Sequence, residues 1–369
     1  MSSRPNWIGN PFAVDEMPTD RFPIFKRLNE SAALQAAADL AQIEFDAGQE
    51  IDIDFSETVH YEPFAMLFLG AAIRRLRHRA GAVDAVVRIK TLDEEDGGFP
   101  GHMGFWRSIG APVGRDIGAS AGKQSYLPIT RLTVEDMYRR AGGDPRGSGL
   151  VESEAAKLVK ILCNPFSKSL FEALTYALRE LIRNVIEHAM TSDIWIAGTT
   201  WPKRDFVQIA ILDEGRGIRA SLADNPELRF ETDAKALSES IRPGVTRNKG
   251  RQRTPAEIER WEEQRHALPL SIFDNTGYGL YMISTFCREA GGFLIASGSS
   301  YLSLLPNGEI SGATLHRGTA LRLFVQPTKV GPAFERLFEA MEQRGAGHKP
   351  LLSASKLREL GLDTLTASE

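Results

Sequence analysis

The sequence predicts an α+β protein in which helices lie on one face of a mixed, mostly antiparallel sheet, with a smaller α/β unit in front of it. Three observations carry this reading. Apolar residues Leu170, Leu174, Ala177, Leu178, Leu181 and Val185 recur at helical spacing, which predicts a long amphipathic helix from Ser167 to Met190. The runs Ile194 to Thr200 and Phe206 to Leu212 flank the turn Pro202-Lys203-Arg204-Asp205, so they read as paired strands on which that helix buries its stripe. Upstream, Ile51-Asp52-Ile53-Asp54-Phe55 alternates apolar with acidic residues, as a half-buried strand does, and a helix and a second strand follow it.

Composition bounds the function. The chain has 369 residues, 42% hydrophobic and 25% charged, which suits roughly two packed domains and excludes long disorder or a fibrous chain. Its 44 Lys and Arg against 48 Asp and Glu leave a net charge of −4, so no global basic field points to nucleic acid or an anionic membrane. The longest apolar stretch, Phe64 to Ile73, is about half of what a bilayer span needs. Cys163 and Cys287 supply neither a disulfide framework nor zinc-ligand spacing. These features lead us to expect a cytoplasmic protein without a membrane anchor.

In chain order, a Pro-rich lead-in (1–24) precedes an Ala-rich helix from Ser31 to Ala47. Phe64 to Arg79 reads as a helix, apolar first and cationic in its last turns, closed by Gly81, and Val83 to Ile89 as a strand. The Gly- and Pro-rich stretch from Arg140 to Gly149 holds no regular element, which places a domain junction there, between units at 25–145 and 150–330. Later strands are expected at Phe293 to Ser297, Tyr301 to Leu305 and Ala320 to Val325. A helix from Leu280 to Ala290 is stopped by Gly291-Gly292. Between them lies a long, polar, Arg-rich insertion (218–276) with a capping box at Thr254, Pro255 and Glu257. A tail (331–369) carries one helix, from Ala333 to Arg344.

Four features carry chemistry. Glu180, Asn184 and His188 are spaced four apart and share a helix face. The carboxylate can orient or deprotonate a water, and the amide oxygen is a hard ligand of the kind Mg²⁺ accepts beside phosphate oxygens. Alone, the triplet also reads as a solvated face. Next, an apolar strand ends at Asp213 in a turn containing Gly215 and Gly217. The glycines let a planar ligand approach the backbone and the carboxylate can accept from an exocyclic amine, although a plain strand-ending turn fits equally well. Third, Asn275-Thr276-Gly277-Tyr278-Gly279-Leu280 opens a helix whose free N–H groups suit a phosphate. Fourth, Gly318-Thr319 precedes the last strand, where a hydroxyl can support Asp213.

Taken in order, these motifs resemble the GHKL ATPase fold shared by gyrase, heat-shock chaperone, mismatch-repair and histidine-kinase ATP-binding domains. Glu180-Leu-Ile-Arg-Asn184-Val-Ile-Glu-His188-Ala189 resembles the Asn box, and specifically that of anti-sigma-factor serine kinases. Asp213 to Gly217 resembles the first glycine box and Gly277 to Leu280 the second. The resemblance implies ATP and Mg²⁺ as cofactors. Asn184 would hold the metal, Glu180 would polarise the attacking water or hydroxyl, and Asp213 would read adenine. Gly277 and Gly279 would cradle phosphates; His188, Gly215, Gly217, Leu280 and Thr319 complete the nucleotide site. There is no Gly-x-x-x-x-Gly-Lys-Ser/Thr loop, so the lid cations Arg247, Lys249 and Arg251 are candidates to meet phosphate charge. The insertion between the glycine boxes is longer than the lid of that branch, although Arg242-Pro243-Gly244-Val245-Thr246 resembles its start.

The N-terminal half resembles a STAS domain: a strand at Ile51 to Phe55, then Tyr61-Glu62-Pro63 opening an apolar helix. Where STAS partners of anti-sigma kinases carry a phosphorylatable Ser or Thr, Glu62 or Pro63 stands, and Glu62 would imitate a permanent negative charge. The function this implies is slow ATP hydrolysis coupled to lid closure that gates a protein interaction in signalling. The alternatives are a serine/threonine kinase acting on a separate protein and a non-catalytic nucleotide-dependent interaction module. Expected partners are ATP and a protein met through the N-terminal domain or the insertion; a homodimer stays open.

Overall fold

Strands that are apolar on both faces run through the middle of the chain, and that pattern organises the molecule. The computed structural model describes residues 21–91, 97–119, 125–143, 145, 149–163, 168–245 and 279–343. The N-terminal part contains β1 (Arg21–Pro23), β2 (Arg27–Leu28), α1 (Glu30–Ala41), β3 (Glu50–Asp54), β4 (His60–Tyr61), α2 (Pro63–Gly81) and β5 (Val86–Lys90). The short helices α3 (Gly98–His102) and α4 (Phe105–Ser108) follow. Next come β6 (Tyr126–Thr133), α5 (Val134–Ala141), α6 (Leu150–Cys163), α7 (Lys168–Asn184), β7 (Asp193–Trp201), β8 (Phe206–Asp213), α8 (Gly217–Leu222) and α9 (Asp233–Ser240). The described residues end in α10 (Gly279–Ala290), β9 (Gly291–Leu305), β10 (Gly308–Val325) and α11 (Pro327–Gln343).

Among the described residues the largest sheet has five strands in the order β6-β7-β8-β10-β9, with every neighbouring pair antiparallel. The α+β class is therefore observed. One detail differs from expectation, because both faces of this sheet are covered by helices. Ile194, Ile196, Val207, Ile209, Ile211, Leu321 and Leu323 face a core shared with α6, α7, α10 and α11. Trp195, Ala197, Ala210, Leu212, Leu294, Ala296 and Ala320 face a second core with α1 and α2. The period of two sends alternate residues to opposite cores, and four alanines on the second face let α2 come close. Full burial of each large aliphatic side chain contributes roughly 1.5–3 kcal/mol.

The junction expected near 140–149 does not separate two sheets. Tyr126–Thr133, N-terminal to it, pairs with β7 as the edge strand of the five-stranded sheet. A proline is tolerated there because an edge strand has one unpaired side, and the register shift between Leu127 and Thr130 brackets Pro128. A separate parallel sheet, β1-β3-β5, lies in the N-terminal part. The strands expected at Phe293 to Ser297 and Tyr301 to Leu305 are one long strand, β9, hairpinned to β10. The helix placed in the tail begins earlier, at Pro327, and buries Val330, Ala333 and Phe334 in the α7-side core. Both cysteines are buried free thiols whose ionisation burial pushes up. No helix among the described residues is long and apolar enough to cross a membrane.

The docking of α2 on the sheet is specific. Glu62 is its N-cap residue but makes no capping bond; the buried Gln208 of β8 accepts from Phe64 N–H at 3.1 Å and donates to Glu62 Oε2 at 3.2 Å. Arg322 of β10 pairs with both Glu30 and Glu62. The negative charge that opens α2 is therefore met by a cation on the other half of the chain.

Candidate functional site

The helix that carries the first motif changes pitch in mid-motif. α7 runs as an α-helix to Asn184 and continues as a single π turn, Val185–Ala189, ended by Met190 in the left-handed region (φ 54°). Such turns cost backbone regularity and gather at functional sites. Glu180 is buried at 6% exposure. Its Oε1 accepts from Arg179 at 3.1 and 2.9 Å, with Arg183 Nη1 at 3.7 Å. Arg183 also reaches Glu187 Oε1 at 3.5 Å, and His188 Nε2 lies 3.8 Å from Glu187 Oε2.

Asp213 ends β8, 2% exposed, with its side chain on the α7 face because it keeps the parity of Ile209 and Ile211. Its Oδ1 accepts from Gly215 N–H at 2.8 Å, and the backbone and hydroxyl of Thr319 bond it as well. Burial pushes its carboxyl up to about 6, against the pull of those hydrogen bonds. Behind it, His316 Nε2 lies 2.8 Å from the Asp213 carbonyl oxygen, which can only accept, so that nitrogen carries the hydrogen. Burial and the charges of Arg75 and Arg74 pull the His316 imidazole down to about 3, so the ring stays neutral, packed 5.2 Å from Phe68 of α2.

The glycine turn after Asp213 is locked to the end of the π turn. Arg216 N–H donates to Ala189 O at 2.9 Å and its Nε to His188 O at 2.9 Å, while its guanidinium forks onto Asp224. Gly215 packs so closely that a Cβ there would drive into the Ala189 carbonyl. Gly217 opens α8 at φ +77°, where a side chain would meet Ser297 Oγ. That hydroxyl accepts from Ile218 N–H at 3.0 Å and donates to Gly318 O at 2.7 Å. Gly318 leaves room only for the Asp213 main chain and carboxylate.

The third element arrives from the far side. Gly279 is the first residue of α10, and a Cβ on it would lie 2.9 Å from Glu180 Oε2. The expected residues therefore converge: Glu180, Asn184, His188, Asp213, Gly217, Gly279, Leu280 and Thr319 line one cleft, floored by Ile295 and Leu321. Ser240 and Val245, at the start of the insertion, line it too. The cavity volume of the cleft is about 140 Å³. Gly215 does not line the cleft; it holds the turn from behind. Gly277, the cations Arg247, Lys249 and Arg251, and the capping box at Thr254 to Glu257 lie outside the described residues.

Sequence reasoning missed Arg183 and Glu187, which also line the cleft. Their signal was present: they sit at i+3 and i+7 from Glu180, on the face already singled out. It also missed His316, whose place behind Asp213 depends on irregular β10 pairing between Ala313 and Thr319. Among the described residues no cluster of three or more His, Cys, Asp or Glu side chains is arranged to hold a metal ion. No family model, curated protein or solved structure matches the chain.

Proposed function

We propose that the cleft binds ATP with Mg²⁺ in the manner of a GHKL ATPase, and that slow hydrolysis coupled to lid closure gates a protein interaction. One observation carries the reading. Three motifs far apart in the chain, Glu180 to His188, Asp213 to Gly217 and Gly279-Leu280, share one cleft. The donor set fits the nucleotide: a buried carboxylate oxygen for an exocyclic amine, an amide oxygen for a hard cation, and a glycine-opened helix of 12 residues for phosphate.

In this reading Asp213 accepts from the adenine amino group while Thr319 and Gly215 keep its carboxylate oriented. Asn184 holds Mg²⁺, which supplies charge neutralisation on the phosphates when bound. Glu180 directs the attacking water through Oε2, since Oε1 already accepts from Arg179. Val245, in the described part of the insertion, lines the cleft, and lid closure over it would exclude water. Residues of α2 contact the same turn, through Arg74 to Glu214 at 3.0 Å and through Phe68 against His316. That contact supports a path from the nucleotide to the N-terminal part.

Phosphate release from ATP tests the proposal. The wild-type chain should release phosphate above background, and Glu180→Ala should abolish release while leaving nucleotide bound. Absence of release by the wild type would remove the hydrolase reading. Labelling of a distinct lysate protein by γ-labelled ATP would replace it with the kinase.

A further inference from the structure

We infer that the arginine cluster where the end of α2 meets β10 docks an acidic segment of a protein partner. The inference deepens the reading above, rests on its expectation of such a partner, and names that partner's chemistry. It begins from cations that gather without being neutralised. Burial lowers the Arg75 guanidinium from its ordinary range; Glu214 pulls it back up, and Arg74, Arg317 and Arg79 press it down again. Arg77, Arg79 and Arg317 are exposed. Glu214, 3.0 Å from Arg74, is the one carboxylate that ion-pairs with these arginines among the described residues.

The other hydrogen bonds of the cluster go to main-chain carbonyls. Arg75 donates to Leu315 O at 2.9 Å, Arg77 to Ile109 O at 2.8 Å, Arg74 to Ser108 O at 3.4 Å and Arg79 to Ala41 O at 3.0 Å. Ala41 and Ser108 end α1 and α4, where cations suit the free carbonyls. A carbonyl is a dipole and not a charge, so these guanidiniums are held in place with their positive charge intact. Guanidinium forks take carboxylates through paired, directed hydrogen bonds. Glu214 already makes such a contact. Its side chain and that of Arg74 are 28% and 23% exposed, and so exposed a pair contributes little, which lets a partner's carboxylate replace Glu214 at small cost. The surroundings select a protein. Leu315 and Arg317 point outward on β10, alternating with the buried Thr314 and His316, and Leu315, whose carbonyl holds Arg75, is itself 41% exposed. Arginine beside an exposed apolar side chain is what protein interfaces are enriched in, whereas a net charge of −4 repels a long polyanion.

Fluorescence anisotropy of a fluorescein-labelled peptide of Glu-Leu-Glu repeats, titrated with the full chain at low salt and without nucleotide, tests this. Wild type should bind the peptide saturably, and added salt should weaken the complex. Arg317→Glu should lose at least ten-fold in peptide affinity with its thermal melt unchanged, since Arg317 is exposed. Glu214→Gln removes the internal competitor for Arg74 and should tighten binding several-fold. A wild type that does not bind the peptide, an Arg317→Glu chain that binds it as tightly as wild type, or a Glu214→Gln chain that binds it more weakly would overturn the docking surface. An oligothymidine of equal charge should bind less tightly than the peptide; tighter binding with the same dependence on Arg317 would overturn the protein partner in favour of nucleic acid. Failure of the ATP reading looks different: a chain that binds the peptide but neither adenosine nor Mg-ATP keeps this surface and loses the nucleotide site.

Discussion

Toward α7 the five-stranded sheet presents Ile194, Ile196, Ile209, Ile211, Leu321 and Leu323; toward α2 it presents Ala197, Ala210, Ala296 and Ala320 beside Trp195, Leu212 and Leu294. The first face is built of branched, bulky side chains, and at its end Asp213, Thr319, Ile295 and Leu321 turn into the cleft. The second is built of small ones and admits a helix at close range, with Gln208, Arg322 and His316 supplying polar anchors. The strand residues that line the cleft lie on that first face. The other face sets where the shared strands lie, so a change on the α2 side reaches Asp213 through its own main chain.

Substitutions of opposite sense on neighbouring residues of β8 test that comparison. Ile211→Ala should cost about 2–5 kcal/mol of stability through the cavity it leaves on the α7 face. Ala210→Leu should cost about 1–3 kcal/mol through overpacking against α2. Denaturant melts of both variants check the pair; a stable Ala210→Leu would mean that α2 is not closely docked. Asp213→Asn should weaken adenosine binding by about 1–3 kcal/mol, the cost of an unsatisfied buried partner, and unchanged affinity would remove Asp213 from the site.

The pH profile sharpens the assignment. With the Asp213 carboxyl pushed up to about 6, adenosine affinity should fall as pH drops through 6 and the acceptor is protonated. Asp213→Asn should flatten the profile. The stability sign is the reverse: the folded state holds this proton more tightly than the unfolded chain, so the group favours folding at low pH and that contribution is lost as pH rises through about 6. The smallest expected effect is at the α2 anchor, where Gln208→Leu removes the acceptor for Phe64 N–H and should cost about 1 kcal/mol, as loss of a helix cap does. Thermal melts would measure it.

Local signals were legible and long-range ones were not. The stripe from Leu170 to Val185 and the hairpin around Pro202 to Asp205 are set by neighbours in the chain, and they lie close to where the sequence put them. The continuous run Ile209-Ala210-Ile211-Leu212 already held the mark of burial on both faces, since a strand with one wet face alternates. β6 escaped notice because Pro128 breaks its pattern, and only its position at the sheet edge makes that proline harmless. Asp213 and Thr319 were identified from motif order, whereas His316 needed the fold of β10 to bring it beneath them. Glu180 reads from the sequence as a carboxylate able to orient or deprotonate a water; its Oε1 is held by Arg179, a side chain one residue away that helical spacing does not place beside it.

The central claim is that these elements form one site for an adenine nucleotide with its metal, and titration calorimetry of the full chain with ATP, with and without Mg²⁺, tests it most directly. The account predicts saturable one-site binding that strengthens with Mg²⁺ and loses that metal dependence in Asn184→Ala. An absence of binding heat for wild type with Mg-ATP across temperatures, confirmed by unchanged thermal stability at saturating nucleotide, would contradict it.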